Sequence, residues 1–237
     1  MQEQEIVQSS YASIINSDDP SRIVLIIGKS GLGKSYSIRN LPAKNTFVVN
    51  IFGKELPFKG WKKNYTIWKP GTRTGNMLRS NNYSDIDFAL DEIKHRKEIK
   101  FGVIDDFQYL MTGEFMDRAY EKGYDKWTEM GKHVHDIIMK AKTLGGGKTI
   151  FFLAHSETND LGEIDVKTLG KLLSEKIVIA GMFTVVLMCQ IDKGEFKFQT
   201  KNRTGKSIVK SPPGMFPDEL IDNDLNYVAK KIYEYDN

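Results

Sequence analysis

Apolar runs of strand length alternate along this chain with segments of helical periodicity. Arg22–Ile27 (RIVLII) is a β-branched run stopped by Gly28 and reads as a buried strand. Residues 34–40 then form a short helix, because Leu41-Pro42 closes it. Thr46–Phe52 (TFVVNIF) reads as a second buried strand and Tyr65–Trp68 as a short third. Ser84 is placed to cap a helix running to about Lys97, with Ile86, Ala89, Leu90 and Ile93 at helical spacing. Phe101–Ile104 is a strand that ends in Asp105-Asp106. Lys126–Leu144 carries the longest apolar stripe, from Trp127 and Met130 through Val134, Ile137, Ile138 and Ala141. Gly145-Gly146-Gly147 ends it, and Thr149–Ala154 (TIFFLA) is a further strand. Phe183–Gln190 and Glu195–Thr200 flank Asp192-Lys193-Gly194 as a hairpin. This alternation predicts an α/β fold, a mostly parallel sheet flanked by helices, with an antiparallel C-terminal hairpin edge. Residues 1–19 are polar, end in a turn cluster at Asp18-Asp19-Pro20, and read as an arm ahead of one domain over 20–237.

Composition narrows the class. At 237 residues, 40% hydrophobic and 27% charged, the chain can bury a core without disulfide staples, and disordered or collagen-like readings drop out. Cys189 is the single cysteine, so no disulfide forms within one chain and a reducing compartment is expected. No basic start with an apolar core opens the sequence and no apolar run nears the length of a membrane span, so a soluble, intracellular protein without a membrane partner is expected. The net charge of +3 averages unlike parts: residues 54–73 and 193–210 each hold six basic residues against one acidic, whereas 217–237 holds six acidic against two basic.

The chemistry concentrates at the end of the first strand. Gly28-Lys29-Ser30-Gly31-Leu32-Gly33-Lys34-Ser35 fits G-x-x-x-x-G-K-[ST] completely, between a predicted strand and a predicted helix. Glycines let such a loop curl so that its backbone N–H groups face phosphates. In this arrangement Lys34 reaches the β- and γ-phosphates and the Ser35 hydroxyl completes a Mg²⁺ shell. The site calls for a carboxylate at the end of a neighbouring strand, and Asp105 supplies it as the second metal-side residue. Asp106 either orients the attacking water or caps the following turn. His155, just past the end of TIFFLA, falls near the γ-phosphate as a sensor of its presence, or is an ordinary loop histidine. His133 and His135 are two apart on a helix and point to different faces, which disfavours a shared metal.

GKSGLGKS, FGVIDDF, TIFFLAHS and a hairpin ending FKFQTKNR occur in the order seen in RecA-like ATPases. The segments IDDFQYLM, EFMDRAYEKGYDKW, KTLGKLLSEK and SPPGMF resemble phage-encoded AAA-type proteins related to the Sak single-strand annealing group, a resemblance covering roughly residues 20–230. It implies a RecA-like fold, ATP and Mg²⁺ as ligands, and ATP hydrolysis, which is slow if neither Glu55 nor Asp106 positions water. It also implies a homo-oligomeric ring or filament with ATP between subunits, acting on single-stranded DNA in recombination or replication in the host cytoplasm. In such assemblies a neighbour's basic hairpin reaches the γ-phosphate. Lys201 and Arg203 of Lys201-Asn202-Arg203 match that element as fingers, or are a solvated hairpin tip. RecA-like enzymes carry a catalytic Glu after the second strand; here Asn50 stands near that position and Glu55 follows several residues late, so Glu55 serves only if the loop bends back.

For DNA, the cations of 54–73 interleave with Trp61, Tyr65 and Trp68, a pattern suited to phosphate contacts with base stacking, although the aromatics equally suit a core. The resemblance places further DNA contacts in loops at about 111–126 (Arg118, Lys122, Tyr124, Lys126) and 156–176 (Lys167, Lys171, Lys176), both offset by acidic residues. The acidic stretch 217–237 is a solvated helix face or a tail that competes with DNA. A nucleotide-gated assembly module without DNA is the rival reading, and a small-molecule kinase is disfavoured by the lack of an Arg-rich lid segment.

Overall fold

The computed structural model describes residues 20–123, 125–168 and 178–237; the arm expected at 1–19, and Tyr124, Lys171 and Lys176 of the expected DNA loops, lie outside the described residues. Among the described residues nine strands form the sheet: β1 (Arg22–Gly28), β2 (Thr46–Asn50), β3 (Met77–Arg79), β4 (Phe101–Asp105), β5 (Thr149–Thr158), β6 (Ile164–Val166), β7 (Val185–Asp192), β8 (Glu195–Gln199) and β9 (Leu220–Asp222). Their order is β3-β2-β4-β5-β1-β7-β8-β9, with β6 paired to β5. Pairing is parallel from β3 to β7 and antiparallel across β7, β8 and β9. This is a RecA-like P-loop α/β core with the antiparallel edge expected from the hairpin.

The sheet is covered on both faces, which is why its central strands read as unbroken apolar runs. In β1, Ile23, Leu25 and Ile27 enter one core layer, and Val24 and Ile26 enter the other. The first layer is closed by α1 (Tyr83–His95), α2 (Gln108–Asp117) and α3 (Asp125–Lys142). Met130, Val134, Ile137, Ile138 and Ala141 of α3 are buried, each large aliphatic contributing about 1.5–3 kcal/mol. The second layer is closed by a 3₁₀ helix at Ser35–Asn40 and by α4 (Leu225–Asp236). Among the described residues, no helix is long and apolar enough to cross a membrane.

Four local expectations are corrected. The third strand is Met77–Arg79, not Tyr65–Trp68. The chain doubles back in the turn at 70–73, Trp68 N–H bonds the Met77 carbonyl at 2.7 Å, and only Met77–Arg79 reaches β2. Asn82 rather than Ser84 caps α1, its side-chain oxygen accepting from the N–H groups of Ser84 and Asp85. The stretch at 111–126, expected as a loop, begins within α2, and the 156–176 stretch begins as the β5–β6 hairpin. The acidic C-terminal stretch is no free tail: Asp224 caps α4, which buries Leu225, Val228, Ala229 and Ile232.

Candidate nucleotide site

Parallel strands deliver their carboxyl ends to one edge of the sheet, and the motif residues meet there. Gly28 at the tip of β1 is in register with His155 of β5, and Asn50 of β2 with Asp105 of β4. β5 lies between β1 and β4, so the Asp105 strand is not the immediate neighbour of the glycine-rich loop. Ser35 bridges that gap, its hydroxyl donating to Asp105 Oδ1 at 2.9 Å. The loop turns through Gly31 and Gly33 with φ of 81° and 88°. Gly33 is held to glycine twice over, since a Cβ there would also stand 2.8 Å from the Phe196 ring. Lys29, Ser30 and Gly31 are exposed, Leu32 is half-buried, and Lys34 is buried. The Lys34 ammonium donates to the carbonyls of Gly28 at 2.8 Å and Lys29 at 3.0 Å, and burial pulls its pKa down. The helix that follows is a six-residue 3₁₀ segment, cut short at Leu41-Pro42.

Two adjacent aspartates are buried at the tip of β4. Burial pushes Asp105 up to about 7, with the Asp106 charge adding to it and the Ser35 hydrogen bond opposing it. Asp106 has φ of 62°, a left-handed conformation uncommon outside glycine. Its side chain makes no cap bond to α2; the carboxylate instead lines the cavity, ion-paired with Lys54 at 2.7 Å and 3.6 Å from His155 Nε2. His155 is drawn below the ordinary histidine pKa by burial and then by the Lys34 charge. Its backbone N–H bonds the side chain of Gln108 at 3.0 Å.

Lys34, Ser35, Asp106 and His155, though not Asp105, line a cavity of about 560 Å³ with two unlike ends. Lys34, Lys54, Asp106 and His155 form the charged end, and Tyr36 and Phe196 the aromatic end, their ring centroids 5.6 Å apart. The Arg39 guanidinium lies 4.1 Å from the Tyr36 ring centre and donates to the Asn223 carbonyl.

Neither Lys54 nor Phe196 is expected at the nucleotide site from the sequence; Lys54 stands there only as one of the cations of 54–73 suited to DNA. Asn50, where an acidic residue is expected, braces the loop instead. Its side chain donates to the Lys54 carbonyl at 2.6 Å and accepts from Gly53 N–H at 2.8 Å. Glu55 itself points away: it is exposed, bonded to Lys62 at 2.6 Å, held below the usual carboxylate range by that ammonium, and absent from the cavity wall. The loop does not bend back far enough to make it a base. Lys201 and Arg203 are exposed and do not line this chain's cavity; Arg203 pairs with Glu219.

The expected DNA features fare unevenly. Trp61, Tyr65 and Trp68 are core residues, which withdraws their faces from base stacking. Arg118 is engaged by Glu114, Glu121 and Glu129, and Lys126 is buried against the carbonyls of Arg118 and Glu121. His133 stacks on Tyr83 and bonds Glu114, whereas His135 contacts Asp136.

A magnesium ion fits the donor set. Ser35 Oγ and Asp105 Oδ1 are hard oxygen donors already within 2.9 Å of each other, and Asp105 is a buried carboxylate short of positive charge. Among the described residues there is no cluster of three or more His, Cys, Asp or Glu that could hold a metal ion.

No curated protein matches the chain. The AAA domain family matches residues 21–212, a span that begins one residue before β1, takes in the glycine-rich loop and both aspartates, and runs past the β7–β8 hairpin. With that match over most of its length and this loop, strand order and aspartate pair, the chain belongs to the AAA domain family of P-loop ATPases.

Proposed function

We propose that the chain binds Mg²⁺-ATP in this cavity, hydrolyses it slowly, and uses nucleotide state to set the assembly of copies on single-stranded DNA. The observation that carries the nucleotide reading is the Ser35–Asp105 hydrogen bond beside the buried Lys34 ammonium. Lys34 takes the β- and γ-phosphate oxygens, and Ser35 and Asp105 hold the cation. When bound, magnesium neutralises charge on the phosphate oxygens. Asp106 holds a water against the terminal phosphorus. The water oxygen attacks, its proton passes to the Asp106 carboxylate, and the bridging oxygen leaves with the diphosphate. His155, 3.6 Å from Asp106, reports whether the terminal phosphate is present. With Asn50 where an acidic residue is expected and Glu55 facing solvent at Lys62, slow turnover follows.

The single-stranded DNA partner, the ring or filament with ATP between copies, and a phage recombination or replication role in the host cytoplasm draw on the resemblance. They also draw on exposed cations at Lys59, Lys63, Lys69, Lys193, Lys206 and Lys210. ATP hydrolysis measured with and without single-stranded DNA from about 50 to 200 mM salt tests this reading. Stimulation that fades with salt is the expected result. No response at any salt selects the second reading, nucleotide-gated assembly without DNA, which the burial of Trp61, Tyr65 and Trp68 favours. A trans finger predicts that mixing Arg203→Ala with Lys34→Ala subunits restores hydrolysis; no rescue removes Arg203 from the mechanism.

A further inference from the structure

Lys54 lines the cavity with Asp106, to which it is ion-paired, and His155. Its backbone is fixed: the Asn50 side chain clasps both Gly53 N–H and the Lys54 carbonyl, so the loop at the tip of β2 has little freedom. Its side chain is not fixed to the same degree. It is 49% exposed, on four rotatable bonds, over the rings of Phe52 and Tyr109, with the ammonium bonded to Asp106 at 2.7 Å. Among the described residues on the cavity wall, the other groups able to carry positive charge are already engaged. Lys34 is enclosed by the loop it serves, His155 is biased to its neutral form by burial and by Lys34, and Lys201 and Arg203 lie off the cavity wall.

We propose that Lys54 is the residue that distinguishes a nucleoside triphosphate from a diphosphate, leaving the Asp106 carboxylate for the terminal phosphate when one is bound. This rests on the reading of the cavity as a nucleotide site. The exchange is favourable because a terminal phosphate offers more charge and three acceptor oxygens against the single charge of a carboxylate. It also frees Asp106 for a water at the moment a phosphate arrives to be attacked. A diphosphate ends short of Lys54, and the Lys54–Asp106 pair persists. Lys54 thereby supplies, from within the chain, a cation for the terminal phosphate.

The test is calorimetric binding of Mg²⁺-ADP and of a Mg²⁺-bound non-hydrolysable ATP analogue to the wild-type chain and its variants. Lys54→Ala is expected to weaken the triphosphate analogue by about 10- to 100-fold while ADP stays within about twofold, the loss of one charge-assisted hydrogen bond. Lys54→Arg restores most of the preference, which a purely structural role would not predict. Asp106→Asn, an isostere that tolerates the left-handed backbone, removes the competing charge and raises the preference for triphosphate several-fold. Should Lys54→Ala fail to fold, Lys54→Gln replaces it. Equal losses for both nucleotides, or no loss for either, overturn the role of Lys54 while leaving the nucleotide site intact. A wild-type chain that binds neither nucleotide overturns the site itself, and this proposal with it.

Discussion

The two ends of the nucleotide cavity are built by different means. The charged end gathers the tips of β1, β2, β4 and β5, parallel strands whose order places Gly28 beside His155 and Asn50 beside Asp105. Each residue there is the last of an apolar run or lies within a few positions of it. The aromatic end joins Tyr36, just after the glycine-rich loop, to Phe196 on the antiparallel edge, 160 positions away along the chain. One end follows from where strands stop; the other follows from how a hairpin lies across the loop. Chemistry specified by strand ends can be read locally, and chemistry specified by packing cannot.

The comparison can be broken most directly at the charged end. Lys34→Ala removes the ammonium that the loop encloses and should lower nucleotide affinity by at least about 100-fold, since hydrogen bonds to charged groups contribute about 1.5–3 kcal/mol each. Titration of a fluorescent nucleotide reads this, and tight binding by the variant would overturn the site. Asp105→Asn should be next in size: nucleotide still binds, but the gain from added Mg²⁺, about tenfold or more, disappears. A variant that keeps its magnesium dependence places the cation elsewhere.

At the aromatic end, Phe196→Ala should weaken ATP and ADP alike by about tenfold, the worth of one stacked base at about 1–3 kcal/mol. That uniform loss is the sharpest contrast with Lys54, where the loss falls on the triphosphate alone. A Phe196 effect confined to the triphosphate would erase the distinction between the two ends. The smallest effect belongs to pH. His155 titrates below its ordinary value in the folded chain, so the unfolded chain takes up a proton first as pH falls. The stability tied to neutral His155 is full above about pH 6.5 and is lost as pH drops through the folded pKa. Thermal melting from pH 7.5 to 5.5 should therefore fall more steeply for the wild type than for His155→Gln; parallel curves would assign the histidine no such role.

By itself the sequence determined the mostly parallel sheet, the hairpin edge, the glycine-rich loop and Asp105. Each rests on short-range physics: apolar runs need burial on two faces, glycines permit positive φ, and a strand ending in Asp presents that carboxylate at the sheet's edge. Where longer-range contacts competed with local pattern, the sequence misled. Tyr65–Trp68 has the residues of a strand, yet the fold-back through the turn at 70–73 hands the pairing to Met77–Arg79. Trp61, Tyr65 and Trp68 resembled a base-stacking surface because an aromatic between lysines looks the same whether it faces solvent or core. Only the tertiary structure decided that Glu55 turns outward to Lys62 while Lys54 turns inward to Asp106. Adjacent residues on a loop point to opposite sides, and which side is inside depends on the Asn50 brace and the distant strand tips that meet there.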